Sequence, residues 1–535
     1  MSPQEKKKSL KQNILESEKI SRREALSTAG KVAISAVVAG VVAGVGGYLA
    51  GSAAVPPPKT ETVTVTAAGK TVTVTAPGKT VTATVTGPAP PAKTVTTTVT
   101  SAVAPTAAAI PIRIWPGAKG YDKYRLDNPK DVCAILNNML AAMGANVKID
   151  FSGVVESAKL EKVIAAYKAK ELPEILGAGH EWVGPFAEGG YIIPIDDYIE
   201  KYKLLLTDWF PYAWAWEAMR WKGKTYAVLQ DTECRPLYWR RDVLKKLGWS
   251  DADLDALPEK IRKGEWTMED AISVAKEAMD KGLVKWGFYH RPTPGAQPMF
   301  VFYVQYGGKI GDPETGKLIA DKAAWLKTLE LFYKLAVEEK VMPPMAGTSW
   351  RTVHTDFVNG RVLFWFGGSW HWAEYQHVAY HEKLGKVPEE WEWENLGFGL
   401  VPAPTKGLKP ATNTHPWAFM ISSQAKNPEV AFLVAVLQTI PTFDVRHCIY
   451  GGKLPSRATT YSHPDFKKNK FLSSIVYMHE YTSVLFNHPK MPVYTRLAFE
   501  TVTSVEKGEK KPDKAVEDLM SALRAEIGEE IIIRE

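Results

Sequence analysis

The sequence predicts an α/β body of two lobes joined by a hinge, preceded by a signal or anchor helix and a disordered stalk. Three observations carry that prediction. From Pro111 onward, short apolar runs alternate with amphipathic stretches, as strands and helices do in a layered α/β domain. Two extended segments, Thr225–Tyr238 and Phe398–Phe419, contain prolines that cannot donate to a sheet ladder, so the chain must bend there between blocks: Pro236 in the first, Pro402, Pro404 and Pro410 in the second. Residues before 110 have neither feature and almost no aromatic side chains.

The N-terminal region sets the destination. A Lys-rich start ends in Ser21-Arg22-Arg23-Glu24-Ala25-Leu26, and after Lys31 the run from Val32 to Pro58 carries no charge. Paired arginines before a weakly hydrophobic, Gly- and Ala-rich run resemble a twin-arginine signal; a Sec-type signal or a plain membrane anchor places the body on the same side. Ala50–Ala54 offers small residues for cleavage, while the run is also long enough, at about 20 residues, to stay as an anchor, and retention is the expectation. Residues 1–55 are therefore read as the signal or anchor segment. Lys-Thr-Val-Thr recurs at Lys70, Lys79 and Lys93 among Ala, Pro and Gly, so 56–109 reads as an extended, solvated stalk. Such a tether resembles the cell-surface binding proteins of archaea.

Charge follows the same division. Lys and Arg number 66 against 59 Asp and Glu, a formal net charge of +7. About twelve of the bases and about five of the acids lie in residues 1–109, which leaves 110–535 neutral overall. The basic balance belongs to the leader, and no nucleic-acid partner is expected. Three cysteines, Cys133, Cys234 and Cys448, are too few and too far apart for a metal-binding Cys-x-x-Cys and are expected as small buried hydrophobes. Eighteen tryptophans exceed what core building usually demands and point to an aromatic-lined surface.

Within the body, Ile112–Trp115 and Val147–Phe151 read as strands around a helix at Asp131–Met143, a βαβ unit. Ser157–Ala169 reads as a helix, Glu174–Gly177 as a strand, and Trp266–Lys281 as a helix opened by Thr267, with Glu269 and Asp270 in its first turn. Alternation of this kind favours ligand binding at strand C-termini.

Several blocks in order resemble a known family. Glu174-Ile175-Leu176 with Trp182 and then Gly190 to Tyr198, the stretch Trp221 to Leu244, Phe357-Val358-Asn359-Gly360-Arg361 through Gly368-Ser369-Trp370, Ile421-Ser422-Ser423 with Lys426 to Ala431, and Leu454-Pro455-Ser456-Arg457 together resemble the extracellular solute-binding proteins of family 1, the maltose-binding-like receptors that feed ABC importers. The resemblance covers nearly all of 111–535 and implies a periplasmic-binding-protein-like fold, with one lobe over 110–232 plus 408–462 and the other over 233–407 plus 463–535. It implies a receptor on the extracellular face of the cell membrane that captures a carbohydrate, an oligosaccharide before a monosaccharide, and delivers it to ABC permease subunits. A monomer without catalytic residues, cofactor or metal is expected. Two departures stand out: Thr414 to Phe419 lacks the glycines usual before Ile421, and no cysteine follows the apolar run to take a lipid.

Carried over residue by residue, the resemblance places His180, Glu181 and Trp182 in the pocket from the first lobe, and Asp231, Glu233 and Arg235 at the first crossing. Trp370, His371 and Trp372 come from the second lobe, His415 and Trp417 from the return crossing, and Tyr494 from the C-terminal block. Trp and Tyr suit the C–H faces of a sugar ring, and the charged and imidazole groups suit its hydroxyls. Trp391 and Trp393 are expected as loop or surface aromatics. The competing readings are a surface glycoside hydrolase using Asp231, Glu233 or Glu181, and a structural cell-surface protein. His371 with Glu374, and His377 with His381, have the spacing of metal ligands but read as exposed helix polar groups.

Overall fold

Runs of four or five apolar residues become the central strands. Val362–Phe366 and Ile175–Gly179 are buried at every position, as strands covered on both faces must be. Ile175–Gly179 belongs to a five-stranded sheet in the order Ala227–Asp231, Trp417–Ile421, Ile175–Gly179, Ala108–Trp115, Val147–Gly153. Val362–Phe366 belongs to a four-stranded sheet in the order Trp286–Tyr289, Val362–Phe366, Leu237–Arg240, Leu396–Gly399. These elements come from a computed structural model that describes residues 63–65, 72–76, 79–83, 95–97 and 108–535, apart from 119, 210–212 and 296–297.

The chain passes between the sheets twice. It leaves the first at Asp231 and enters the second at Leu237, with Pro236 just before the new strand. It returns from Gly399 to Trp417 through the proline-rich segment. Trp417–Ile421 then lies antiparallel to both its neighbours, so the first sheet is mixed, whereas Ala108–Trp115 and Ile175–Gly179 run parallel.

Local chemistry explains the helix boundaries. The helix Met268–Asp280 starts after Thr267, whose N–H and hydroxyl both donate to the Asp270 carboxylate. Pro428–Leu437 begins with proline, which needs no N–H partner in the first turn, and its residues from Val430 to Leu437 are all buried. Leu160–Ala169 stops at Lys170, which adopts the left-handed conformation at φ 59°. The expected helix at Asp131–Met143 spans Tyr124–Ala142, with Pro129 tolerated near its start.

The chain divides into two compact units, one of Pro111–Ile135 with Asp150–Glu535 and one of Met1–Ile110 with Leu136–Ile149. In the second of these, Val63–Val65 pairs with Val95–Thr97 and Val72–Ala76 with Lys79–Ala83, both antiparallel. These pairs lie within the segment expected as a stalk, where alternating β-branched Val and Thr have high strand propensity. The signal or anchor over 1–55, with Arg22 and Arg23, lies outside the described residues. Among the described residues no single helix is long and apolar enough to cross a membrane. Cys133, Cys234 and Cys448 are buried free thiols.

Candidate functional site

Strand register builds the first wall of the site. Trp417 pairs with Gly179 on one side and with Asp231 on the other, so three strand ends stand in one row across the sheet. The register shifts between Leu229 and Asp231, a bulge that re-aims the end of the crossing strand. His180 and Glu181 follow Gly179, His415 precedes Trp417, and Glu233 follows Asp231. The second wall comes from the other sheet: the strand Val362–Phe366 ends in Gly367 and Gly368, and the helix Trp370–His377 begins directly after Ser369. A Cβ on Gly368 would lie 1.9 Å from the Trp370 ring, so glycine is what lets the indole fold back over the loop.

Between these walls lies a cleft of about 400 Å³, lined by Trp350, Trp370 and Trp417, by Arg125, Arg235, Arg291 and Lys453, by Asp122, Glu233 and Glu374, and by His354, His371 and His415. Hollows of about 770 and 800 Å³ lie elsewhere on the surface, but neither gathers such a set, so volume alone does not select the site. The cations flank the indoles. Arg125 lies 4.0 Å from the Trp417 ring centre, Arg235 and Lys453 lie 4.9 and 4.5 Å from that of Trp370, and Arg291 lies 4.6 Å from that of Trp350.

Each cleft carboxylate at the crossing is clamped. Asp231 accepts hydrogen bonds from Arg125 at 2.9 Å and from His447 at 2.7 Å. Burial would raise its pKa, but Arg125, His447 and Lys453 outweigh burial and hold the carboxyl below the usual range. Glu233 bridges Arg235 at 2.6 Å and Lys453 at 3.1 Å; burial opposes its ionisation, and these two cations with His415 reverse the effect. Burial keeps His371 neutral, its pKa well below the ordinary imidazole value, and pushes His354 down to about 3 with help from Arg291. His371 Nδ1 accepts from the Gly368 N–H at 2.8 Å and from Trp365 Nε1 at 3.3 Å, which leaves its proton on Nε2.

Of the residues expected in the pocket, Glu233, Arg235, Trp370, His371, His415 and Trp417 line the cleft, and Asp231 stands behind them, fully buried. Glu181 reaches the cleft through His415, 2.5 Å away, while His180 is buried beneath that pair. Three expectations need correction. Trp182 lies outside the lining and stacks on Phe186, because its short helical turn leads straight into the helix Val183–Glu188. Trp372 is core: its ring lies parallel to that of Phe471 at 4.5 Å and packs on Trp393 and Phe398. Tyr494 is core as well, accepting from Trp325 Nε1 at 2.7 Å and donating to the Ile319 carbonyl at 3.1 Å.

Other aromatic and polar assignments also change. Trp391 and Trp393 sit on the helix Glu389–Asn395, half-buried, with Trp393 against Trp372. His371 and Glu374 are buried rather than exposed, since the helix Trp370–His377 is covered along nearly its whole length.

Sequence reasoning missed Asp122, Arg125, Arg291, Trp350, His354 and Lys453. Trp350 and His354 are one turn apart on the helix Trp350–Val358, a spacing that puts both on one face. Lys453 adjoins the Leu454-Pro455-Ser456-Arg457 motif. Arg125 and Arg291 carry no local signal.

Fold and site meet in one class of protein, a two-lobed α/β binder with an aromatic, charge-lined cleft. The family model described as bacterial extracellular solute-binding protein matches residues 136–438, more than half of the chain, and the chain belongs to that family. A maltotriose-binding protein of Pyrococcus abyssi is 24% identical over 269 residues, which is 49% of this chain and 48% of that one, so the match spans about half the length of this relative. Among solved structures, the GacH receptor of Streptomyces glaucescens, crystallised unliganded and with acarbose, superposes with a TM-score of 0.61 at 18% identity, over 78% of this chain and 98% of that one. The Thermus thermophilus maltotriose-binding protein, bound with maltotriose, gives 0.58 at 16% identity, over 78% of this chain and the whole of that one.

Proposed function

We propose that this protein is the extracellular receptor of an ABC importer and captures a carbohydrate between its two lobes for delivery to membrane permease subunits. The observation that carries the reading is the cleft itself, where Trp370, Trp417 and Trp350 offer flat apolar faces beside carboxylates, guanidinium groups and imidazoles. That combination matches the alternating C–H faces and hydroxyl rims of a sugar. Among the similar proteins, those named for maltotriose or crystallised with acarbose favour an oligosaccharide, and those crystallised with tagatose or ribitol mark the monosaccharide and polyol alternatives.

The lobes are taken as 110–232 with 408–462 and 233–407 with 463–535, the crossings acting as the hinge. A ligand touching both walls favours the closed form, which a permease can distinguish from the open one. The N-terminal apolar run exports the body and tethers it to the membrane, and the receptor works as a monomer.

Binding rather than hydrolysis fits the electrostatics. A glycosidase needs one carboxylic acid kept protonated near neutral pH beside a second, ionised carboxylate. Asp231 and Glu233 are both held ionised by cations, so neither is poised to donate a proton to a leaving group.

Thermal unfolding of the full-length chain against mono- and oligosaccharides, sugar phosphates and peptides tests the reading, with every sugar re-analysed for cleavage. A ligand at about 100 times its Kd adds roughly 2.7 kcal/mol to stability, enough to raise Tm visibly. A rise with an intact oligosaccharide is expected. Cleavage would overturn the receptor reading, and a response only to peptides would overturn the carbohydrate.

A further inference from the structure

Beneath the cleft, His180, Glu181 and His415 bring one potential metal-ligand atom each to within 4.8 Å of one another. His180 Nδ1 lies 3.8 Å from Glu181 Oε2, and His415 Nε2 lies 2.5 Å from the same oxygen. Proximity of such groups is common, and three further facts distinguish this triad.

First, the His180 tautomer is set. Its Nε2 is 3.0 Å from the Leu485 carbonyl, which can only accept, so Nε2 carries the proton and Nδ1 presents its lone pair. A backbone carbonyl behind the ring is the usual outer partner of a metal-bound histidine. Second, that Nδ1 is fully buried and has no hydrogen-bond partner. An unmatched buried acceptor is destabilising, and a bound cation would offset that cost. Third, Gly179 makes the room. A Cβ there would lie 2.3 Å from Glu181 Oε2 and 2.6 Å from His415 Nε2, although Gly179, at φ −61°, has a backbone conformation open to any residue.

We propose that His180 Nδ1, Glu181 Oε2 and His415 Nε2 form a binding site for one divalent transition-metal ion of the zinc class. Two imidazoles and a carboxylate are a common donor set for zinc, with ligand bonds of about 2.0–2.2 Å. A tetrahedral ion at those lengths separates its ligands by roughly 3.3 Å, so Glu181 and His415 must part by somewhat under 1 Å. His415 is free to do so, as about a fifth of its side chain is exposed at the cleft, on the side where a fourth ligand can enter. The neighbouring triad of His354, His371 and Glu374 is the weaker candidate, because two hydrogen bonds to His371 Nδ1 lock its proton on Nε2 toward Glu374, whereas the neutral His415 ring can carry its proton on Nδ1 when Nε2 takes a metal.

The test uses the full-length chain, stripped with a chelator and titrated with Co²⁺ as a spectroscopic probe and with Zn²⁺ in competition. One equivalent of Co²⁺ is expected to give the visible bands of a nitrogen- and oxygen-ligated four- or five-coordinate ion, displaced by Zn²⁺. Glu181→Gln and His415→Gln are expected to weaken binding by at least the roughly 10–100-fold that even outer-sphere losses cost. His180→Ala is not used alone, since it opens a cavity. Gly179→Ala supplies the independent arm: it meets only the mobile ends of two side chains, so Tm without metal is expected to hold while metal binding falls. His463→Gln, before the helix Pro464–Lys468 and outside the triad, is expected to bind as the parent does. Absence of Co²⁺ binding at micromolar protein, or binding undiminished in Glu181→Gln and His415→Gln, overturns the proposal.

Discussion

Arg125 places Nη2 2.9 Å from Oδ2 of Asp231, tying the start of the helix Tyr124–Ala142 to the end of the first crossing strand. Both residues are buried, and His447 Nε2 reaches the same oxygen at 2.7 Å. Removing one partner leaves a buried charge exposed to low dielectric. Arg125→Met is therefore expected to cost about 3–5 kcal/mol in urea unfolding. The pH dependence has a definite sign. Because the folded pKa of Asp231 is lowered from its ordinary value of 3.8, its contribution is present above that value and is lost as pH falls below it. Asp231→Asn should remove this part of the acid limb, whereas an unchanged acid limb would place the titration elsewhere.

Trp370 and Trp372 make a paired test of cleft against core. Trp370→Ala should weaken carbohydrate binding by about tenfold or more, near 1.4 kcal/mol, at the same time as it lowers stability through the lost packing on Arg235, Lys453 and His371. Trp372→Ala removes the ring stacked on Phe471 and should destabilise the fold by about 3–5 kcal/mol. Calorimetric titration and urea unfolding on both variants separate the two effects, and equal losses of affinity at matched stability would contradict the assignment.

Glu392 is buried on the helix Glu389–Asn395 with Gln376 Nε2 2.7 Å from one carboxylate oxygen. Burial pushes its pKa up to about 10. A raised carboxyl pKa means full stability below the unfolded value, near 4.5, and progressive loss as pH rises toward 10. Glu392→Gln removes that loss. The variant should equal the parent near pH 4 and exceed it by about 2–4 kcal/mol at pH 8, read from unfolding curves at both values.

Closure around a ligand changes shape as well as stability. Solution scattering with a saturating oligosaccharide should give a smaller radius of gyration than the free protein, and Trp370→Ala should need more ligand for the same change. A radius that stays constant at saturation would mean binding without closure.

Much of the architecture was legible because it depends on local chemistry. Short apolar runs such as Ile112–Trp115 and Val147–Phe151 read as strands and lie in strands, and Pro236 announces the first crossing by lacking a donor. Glu233, Arg235, Trp370, His371, His415 and Trp417, which line the cleft, were named through the family resemblance, four of them at the crossings and Trp370 and His371 on the second lobe. The strand pairs near the N-terminus were not read, since the same Thr and Val repeats suit a solvated chain or a ladder, and only a facing segment decides between them.

The sequence by itself determined the alternation of strands and helices, the two crossings, the burial of the three cysteines and the neutral body behind a basic leader. The tertiary structure alone decided which aromatics face the cleft. Trp370 and Trp372 are the same residue type two positions apart on one helix, so they point to nearly opposite sides, and only the neighbours brought by folding tell cleft from core. It also decided the partners: Arg125 meets Asp231 across 106 positions, and Glu233 meets Lys453 across 220. Pairings at that separation are set by strand register and sheet order, through which distant segments of chain become neighbours, and neither leaves a mark in the local pattern of residues.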